Sequence, residues 1–152
     1  MRGARRGYII LWSFFAVLYV SCAADTSVLK DGFYSAQAAE FDTFGWKEYV
    51  SLRISGGRII VVEYDSFTSS GFIKSWDMNY MRTMNALNGT YPNAYTRFYA
   101  GQLLKYQDTR KVDMLTGATT SYHAFIRLVE AAMESARHGF NETRMVDLNR
   151  QR

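Results

Sequence analysis

The chain has 152 residues, which allows one domain with a real core and leaves no room for two. Apolar residues make up 48% and aromatic residues 16%, which excludes a disordered chain. Residues 1–21 hold three of the 18 basic residues and none of the 14 acidic ones, so from Cys22 onward 15 basic residues face 14 acidic ones and the charge gives no argument for nucleic acid.

Arg2, Arg5 and Arg6 precede an apolar run from Tyr8 to Val20, and the small residues Ser21, Cys22, Ala23 and Ala24 follow. That is the layout of a signal peptide over residues 1–21. The run is short for a spanning helix, which needs about 20 apolar residues, and a retained membrane anchor is the alternative reading. Cys22 is the chain's one cysteine, which excludes an internal disulfide and speaks against a cysteine-based metal site. At the end of the apolar run and after Ser21, it looks like the lipidated cysteine of a bacterial lipoprotein, although Tyr19 departs from the Leu usual in such signals. Cleavage after Ala23 competes with lipidation at Cys22. The expected location is extracytoplasmic, anchored to a bacterial membrane.

Residues 22–30 read as a tether, 31–140 as the domain and 141–152 as a polar, frayed tail. Asp31-Gly32-Phe33-Tyr34 opens a strand that reaches about Ala39. Trp46 to Ser55 alternates, with Val50, Leu52 and Ile54 on one face and Tyr49, Ser51 and Arg53 on the other, which predicts a half-buried strand. Gly56-Gly57 supplies a two-residue hairpin turn. Arg58 to Asp65 is the return strand, and its apolar residues on both faces predict a central strand covered by helices.

Residues 66–74 read as a loop, and Ser75 as the cap of a helix from Trp76 to Leu87. Met78, Met81 and Met84 recur on it at three-residue spacing and predict core packing. Asn88-Gly89 and Pro92-Asn93 break the chain. A second helix follows from Ala94 to about Gln107, with Tyr95, Phe98, Tyr99, Leu103 and Tyr106 on an aromatic face that either packs the core or lines a pocket for a ring-shaped ligand. The last helix begins near Thr120, keeps helical spacing through Ala136, and ends at Gly139 with Arg137 and His138 at its negative end. The expected fold is α+β, a small antiparallel sheet packed with helices in a single domain.

Between the second and last helices lies Asp113-Met114-Leu115-Thr116-Gly117-Ala118-Thr119, followed by Thr120 and Ser121. A helix N-terminus presents unpaired N–H groups and partial positive charge, so a hydroxyl there either caps the helix or offers its oxygen to a phosphate. Asp113 and Thr116 are expected to fold this loop by side-chain to backbone hydrogen bonds and hold Thr119 outward.

Asp113, Thr116, Gly117, Ala118 and Thr119 fill every specified position of Asp-x-x-(Ser/Thr)-Gly-Ala-(Thr/Ser), which resembles the flavinylation motif of the FMN-binding domain family. Asp31, Gly32, Tyr34, then Gly45, Trp46, Lys47, Val50, Leu52 and Ile54, then Gly56 to Ile60 and Val62 are similar to the opening of its small exported lipoproteins. The resemblance spans about residues 31–138 and extends to longer relatives, the flavin-bearing subunits of the sodium-pumping NADH:quinone oxidoreductase and of the Rnf complex. It implies FMN carried by a phosphoester on Thr119, attached after export by a separate flavinyltransferase that uses FAD and a divalent metal. Gly117 and Ala118 would then keep bulk away from the ribityl chain. Thr120 and Ser121 would stand beside the ester, Trp46 or Tyr122 would stack on the ring, and Tyr80 or Met84 would lie near it. His123, one turn after Thr119, either contacts the phosphate or ring or is a solvated helix histidine. The chain would be a substrate of the transferase and an electron carrier for redox partner proteins, with no catalytic residue of its own.

No dinucleotide-binding glycine pattern, nucleotide-hydrolase phosphate loop or Gly-x-Ser-x-Gly elbow is present, and two histidines with one cysteine make no convincing zinc or haem site. Two alternatives stand beside the electron carrier: a domain that binds flavin without a covalent bond, and a surface lipoprotein with a structural or adhesive role.

Overall fold

The computed structural model describes residues 28–149. The expected signal peptide, Cys22 and most of the expected tether therefore lie outside the described residues. The alternating segment forms β2 (Lys47–Ser55), and the Gly56-Gly57 turn, with φ of +59° and +70°, returns it into β3 (Arg58–Phe67). β1 (Gly32–Ala38) pairs antiparallel with the other edge of β2, placing Tyr34 opposite Leu52 and Ala36 opposite Val50.

Three helices follow: α1 (Met78–Asn88), α2 (Pro92–Tyr106) and α3 (Thr119–His138). α1 begins two residues later than the sequence suggests because Lys74–Trp76 forms a 3-10 turn. Asp77, not Ser75, caps α1, accepting from the backbone amides of Asn79 and Tyr80. The last strand, β4 (Arg144–Val146), pairs parallel with β1, and the sheet order is β3-β2-β1-β4.

The α+β expectation holds, with two corrections. The sheet is mixed, because residues 141–149 are part of the fold. The Ala39 amide donates to Val146 O at 2.8 Å, the Ser35 and Thr143 hydroxyls lie 2.7 Å apart, and Leu148 packs against the core. Three strand residues with one apolar pair are too short for an alternation signal. β3 is an edge strand, not a central one. A register shift between Arg53 and Ile54 leaves Ile60 without an opposite residue, which breaks the alternation, and Ile60 and Val61 face solvent.

The core lies between one face of the sheet and α2 and α3. Val50, Leu52 and Ile54 meet Phe125, Leu128, Val129, Ala132 and Ala136 of α3, and Tyr95, Tyr99 and Leu103 of α2. Each of the larger side chains contributes roughly 1.5–3 kcal/mol by leaving water. The aromatic face of α2 is thus core at Tyr95 and Tyr99, while Phe98 and Tyr106 stay partly exposed. The methionine stripe is mostly not core: no residue of α1 is buried, Met78 is exposed, and Met84 packs only at the core's margin.

Candidate functional site

α3 begins at Thr119, and its N-cap position belongs to Ala118, whose methyl is buried. No side chain caps the helix. Neither Thr119 nor Thr120 takes the capping role, and both are exposed. The first amide satisfied in the ordinary helical way is that of Tyr122, which donates to Ala118 O at 2.9 Å. The first-turn amides before Tyr122 have no intrahelical acceptor, and the exposed Thr119 stands at that end, an arrangement that suits an anion.

The loop before the helix is held from beneath, and not by the residues the sequence suggested. Tyr99, fully buried on α2, uses its hydroxyl twice, donating to Ala118 O at 3.1 Å and accepting from the Leu115 amide at 3.3 Å. Gln102 accepts from the Asp113 amide at 2.7 Å. The Ala118 amide closes a turn onto Leu115 O at 3.1 Å. Asp113 and Thr116 are exposed, and neither side chain folds the loop; the buried faces of α2 do that work.

Gly117 has a role within the chain itself. Its φ is +82°, and a Cβ there would stand 2.3 Å from Asn88 O and 3.1 Å from Thr90 Cγ2. The glycine lets the motif loop press against the α1–α2 connection, so its missing side chain makes room for backbone of this chain. Thr90 is buried, and its hydroxyl has no hydrogen-bond partner among the described residues. An orphaned buried hydroxyl costs about 1–3 kcal/mol unless something satisfies it.

Below Ser121 lies a polar cluster that the sequence reading missed. The Tyr64 hydroxyl, buried on β3, stands 2.8 Å from Ser121 O and 3.0 Å from Glu48 Oε1. One proton serves only one of these acceptors at a time. A protonated Glu48 resolves the conflict by donating to Tyr64 while Tyr64 donates to Ser121 O. Burial pushes Glu48 up to about 7, against the opposing pull of Lys74 and the hydroxyls of Tyr64 and Ser121. Lys74 is buried and lowered by desolvation, with its ammonium 5.5 Å from the Trp46 ring and 5.2 Å from the Tyr80 ring. Burial pushes Tyr95 well above its ordinary value, and Tyr64 moves the same way for the same reason.

The structure thus brings Thr119, Thr120 and Ser121 together with Gly117 and Ala118 at one helix end. Trp46 is buried just before β2, tilted against Tyr80 at 6.1 Å and facing the Lys74 ammonium, and it does not touch the Thr119 end among the described contacts. Tyr122 sets its ring edgewise to Tyr99 and His123, and His123 is exposed. Glu48 carried a readable signal, since it continues the Val50, Leu52, Ile54 parity and is an acid on the buried face. Among the described residues no cluster of His, Cys, Asp and Glu is arranged to hold a metal ion.

The chain is 38% identical over 127 residues to the 15 kDa lipoprotein of Treponema pallidum (strain Nichols), covering 84% of this chain and 89% of that one. The chain belongs to the family of that lipoprotein. A crystal structure of a Clostridium perfringens protein superposes with a TM-score of 0.75 at 32% identity, covering 78% of this chain and 98% of the other. A solution structure of a Clostridium thermocellum protein shares 23% identity over 71% of this chain and 92% of its own, with a TM-score of 0.49. No protein-family model matches the chain. Among the described residues no helix is long and apolar enough to cross a membrane.

Proposed function

We propose that this chain is an exported lipoprotein, anchored through Cys22, that holds FMN on Thr119 and relays electrons outside the cytoplasm. One observation carries the flavin reading: Ala118 occupies the cap position, so the Thr119 hydroxyl is left exposed beside uncapped first-turn amides. The residues present fit a phosphoryl group. The helix end supplies N–H donors and partial positive charge, and Thr90, whose methyl lies against Gly117, has a buried hydroxyl with no partner among the described residues.

The resemblance of residues 113–119 to the flavinylation motif supplies the chemistry. Thr119 Oγ1 would hold FMN through a phosphoester; in a transfer from FAD the bond to the FMN phosphorus would replace the pyrophosphate bond, AMP would leave, and the hydroxyl proton would pass to the transferase or to water. FMN, once bound, supplies one- or two-electron transfer. The chain's own residues present the hydroxyl, keep the loop rigid through Tyr99 and Gly117, and place the Glu48–Lys74 cluster beneath the helix end.

The name of the Treponema relative supports the exported-lipoprotein part. It mentions no redox role, and it therefore backs a surface lipoprotein with a structural or adhesive role more directly than an electron carrier. Intact mass after co-expression with a flavinyltransferase separates the readings. The carrier reading expects an FMN-sized adduct on the wild type, absent in Thr119→Ala and retained in Thr120→Ala. Survival of the adduct in Thr119→Ala refutes the assignment. Yellow colour released on denaturation favours non-covalent binding, and a colourless, folded protein favours the surface lipoprotein.

A further inference from the structure

The first described residues fix which end of the domain lies beside the tether. Val28 and Leu29 pack against Gly57 at the β2–β3 turn. The Lys30 amide donates to Ala136 O at 3.1 Å and its ammonium to His138 O at 3.0 Å. The Asp31 carboxylate accepts the Gly56 and Gly57 amides at 3.0 and 3.1 Å. The end of α2 is there too, because Gln107 exchanges two hydrogen bonds with Ile59. Thr119 is at the opposite end of the 20-residue α3, about 29 Å away at 1.5 Å per residue. Six peptide units join Cys22 to Val28 and reach no further than about 21 Å.

The tether end is basic. Lys30, Arg53, Arg58, Lys105 and Lys111 are exposed there and form no salt bridge among the described residues. Four acids of this end are engaged, Asp31 by the turn, Asp108 by Arg110, Glu130 by Thr109, and Glu134 by Arg137 and His138, while Glu142, two residues after Phe140, is exposed. Lys105 and Arg137 complement helix C-termini. Lys30 does the same for α3 through His138 O, and the Arg53 guanidinium lies 5.4 Å from the Phe33 ring centroid, which leaves Arg58 as the cation at the turn without a helix end to complement. Three apolar side chains, Val28, Phe33 and Phe140, project among them at 76%, 70% and 58% exposure.

We propose that this end is a seating surface for anionic lipid headgroups, which stands the domain upright with Thr119 on the aqueous side. The proposal rests on the lipid anchor at Cys22. A redox partner then reaches Thr119 from the water and not from the plane of the membrane.

The test uses the full acylated chain in phosphatidylglycerol-containing vesicles that carry a quencher on the headgroups. Acylation occupies Cys22, so a fluorophore labels only an introduced thiol at Phe140→Cys or, at the far end, Met114→Cys. The Phe140 label should be quenched about 3-fold more than the Met114 label, falling toward parity in about 0.5 M salt or in an Arg53→Glu/Arg58→Glu variant. Equal quenching of both labels on an acylated chain, or the same seating on neutral phosphatidylcholine, overturns the seating alone. A chain whose intact mass shows no acyl group overturns the anchor, and the seating with it.

Discussion

Gly117→Ala tests whether the motif loop is held by its approach to the α1–α2 connection. Two costs act on the variant. A left-handed backbone at φ +82° costs an alanine about 1–2 kcal/mol. The new methyl also stands 2.3 Å from Asn88 O, a backbone atom that cannot rotate away, so the connection must move. Forced displacement of packed structure adds roughly 1–3 kcal/mol. Gly45→Ala provides the control, since its φ is +80° and a Cβ there meets nothing within 4 Å. Only the conformational cost applies at Gly45. Urea unfolding should place the Gly117→Ala midpoint below that of Gly45→Ala by about 1 M, given a slope on the order of 1–3 kcal/mol per molar. Coincident midpoints would refute the claim that close approach, rather than backbone conformation alone, demands glycine in the motif.

Other consequences follow from the same contacts. Tyr99→Phe removes the hydroxyl that joins Leu115 N to Ala118 O and should cost about 1–3 kcal/mol in urea unfolding, with faster amide exchange confined to residues 113–121. Thr90→Val deletes a buried hydroxyl without a partner and should stabilise the flavin-free protein by about 1 kcal/mol; if that hydroxyl serves a phosphoryl group, the same variant lowers the yield of the FMN adduct. Glu48 is raised from 4.5 to about 7 in the folded state, so the folded protein keeps a proton that the unfolded chain has released. Wild-type stability should then fall between pH 4.5 and 7, by up to about 3 kcal/mol, and Glu48→Gln should flatten that slope; parallel profiles would refute the buried proton.

Much of the fold is legible because its signals are local and periodic. Val50, Leu52 and Ile54 announce β2, the paired glycines announce its turn, and α3 shows both its apolar stripe and its terminal glycine. The errors arise where a distant partner decides. β4 is a strand only because β1 has a free edge beside it. β3 reads as central because one bulge shifts its apolar residues onto both faces, and only the sheet order shows that a side is bare. The methionines of α1 carry helical spacing, but spacing does not say whether anything packs against the face.

At the helix end, the sequence marked residues 113–119 as one loop and assigned the capping and loop-folding work to side chains that do not do it. Hydroxyl residues before a helix are good caps, and propensity alone favours Thr119 in that role. Tyr99 decides otherwise. By seating Ala118 O on a buried hydroxyl, it sets the helix start so that Ala118 holds the cap position and Thr119 lies one residue inside. Gly117 completes the arrangement by letting the loop close onto Asn88. Local rigidity is therefore supplied by residues 88–102, far from the motif in sequence, while the motif's own polar side chains remain exposed. A loop that only had to start a helix would gain about 1 kcal/mol from a Ser or Thr cap. This one forgoes that gain and leaves the hydroxyl of Thr119 outward, which is the strongest physical reason to look for a group attached to it.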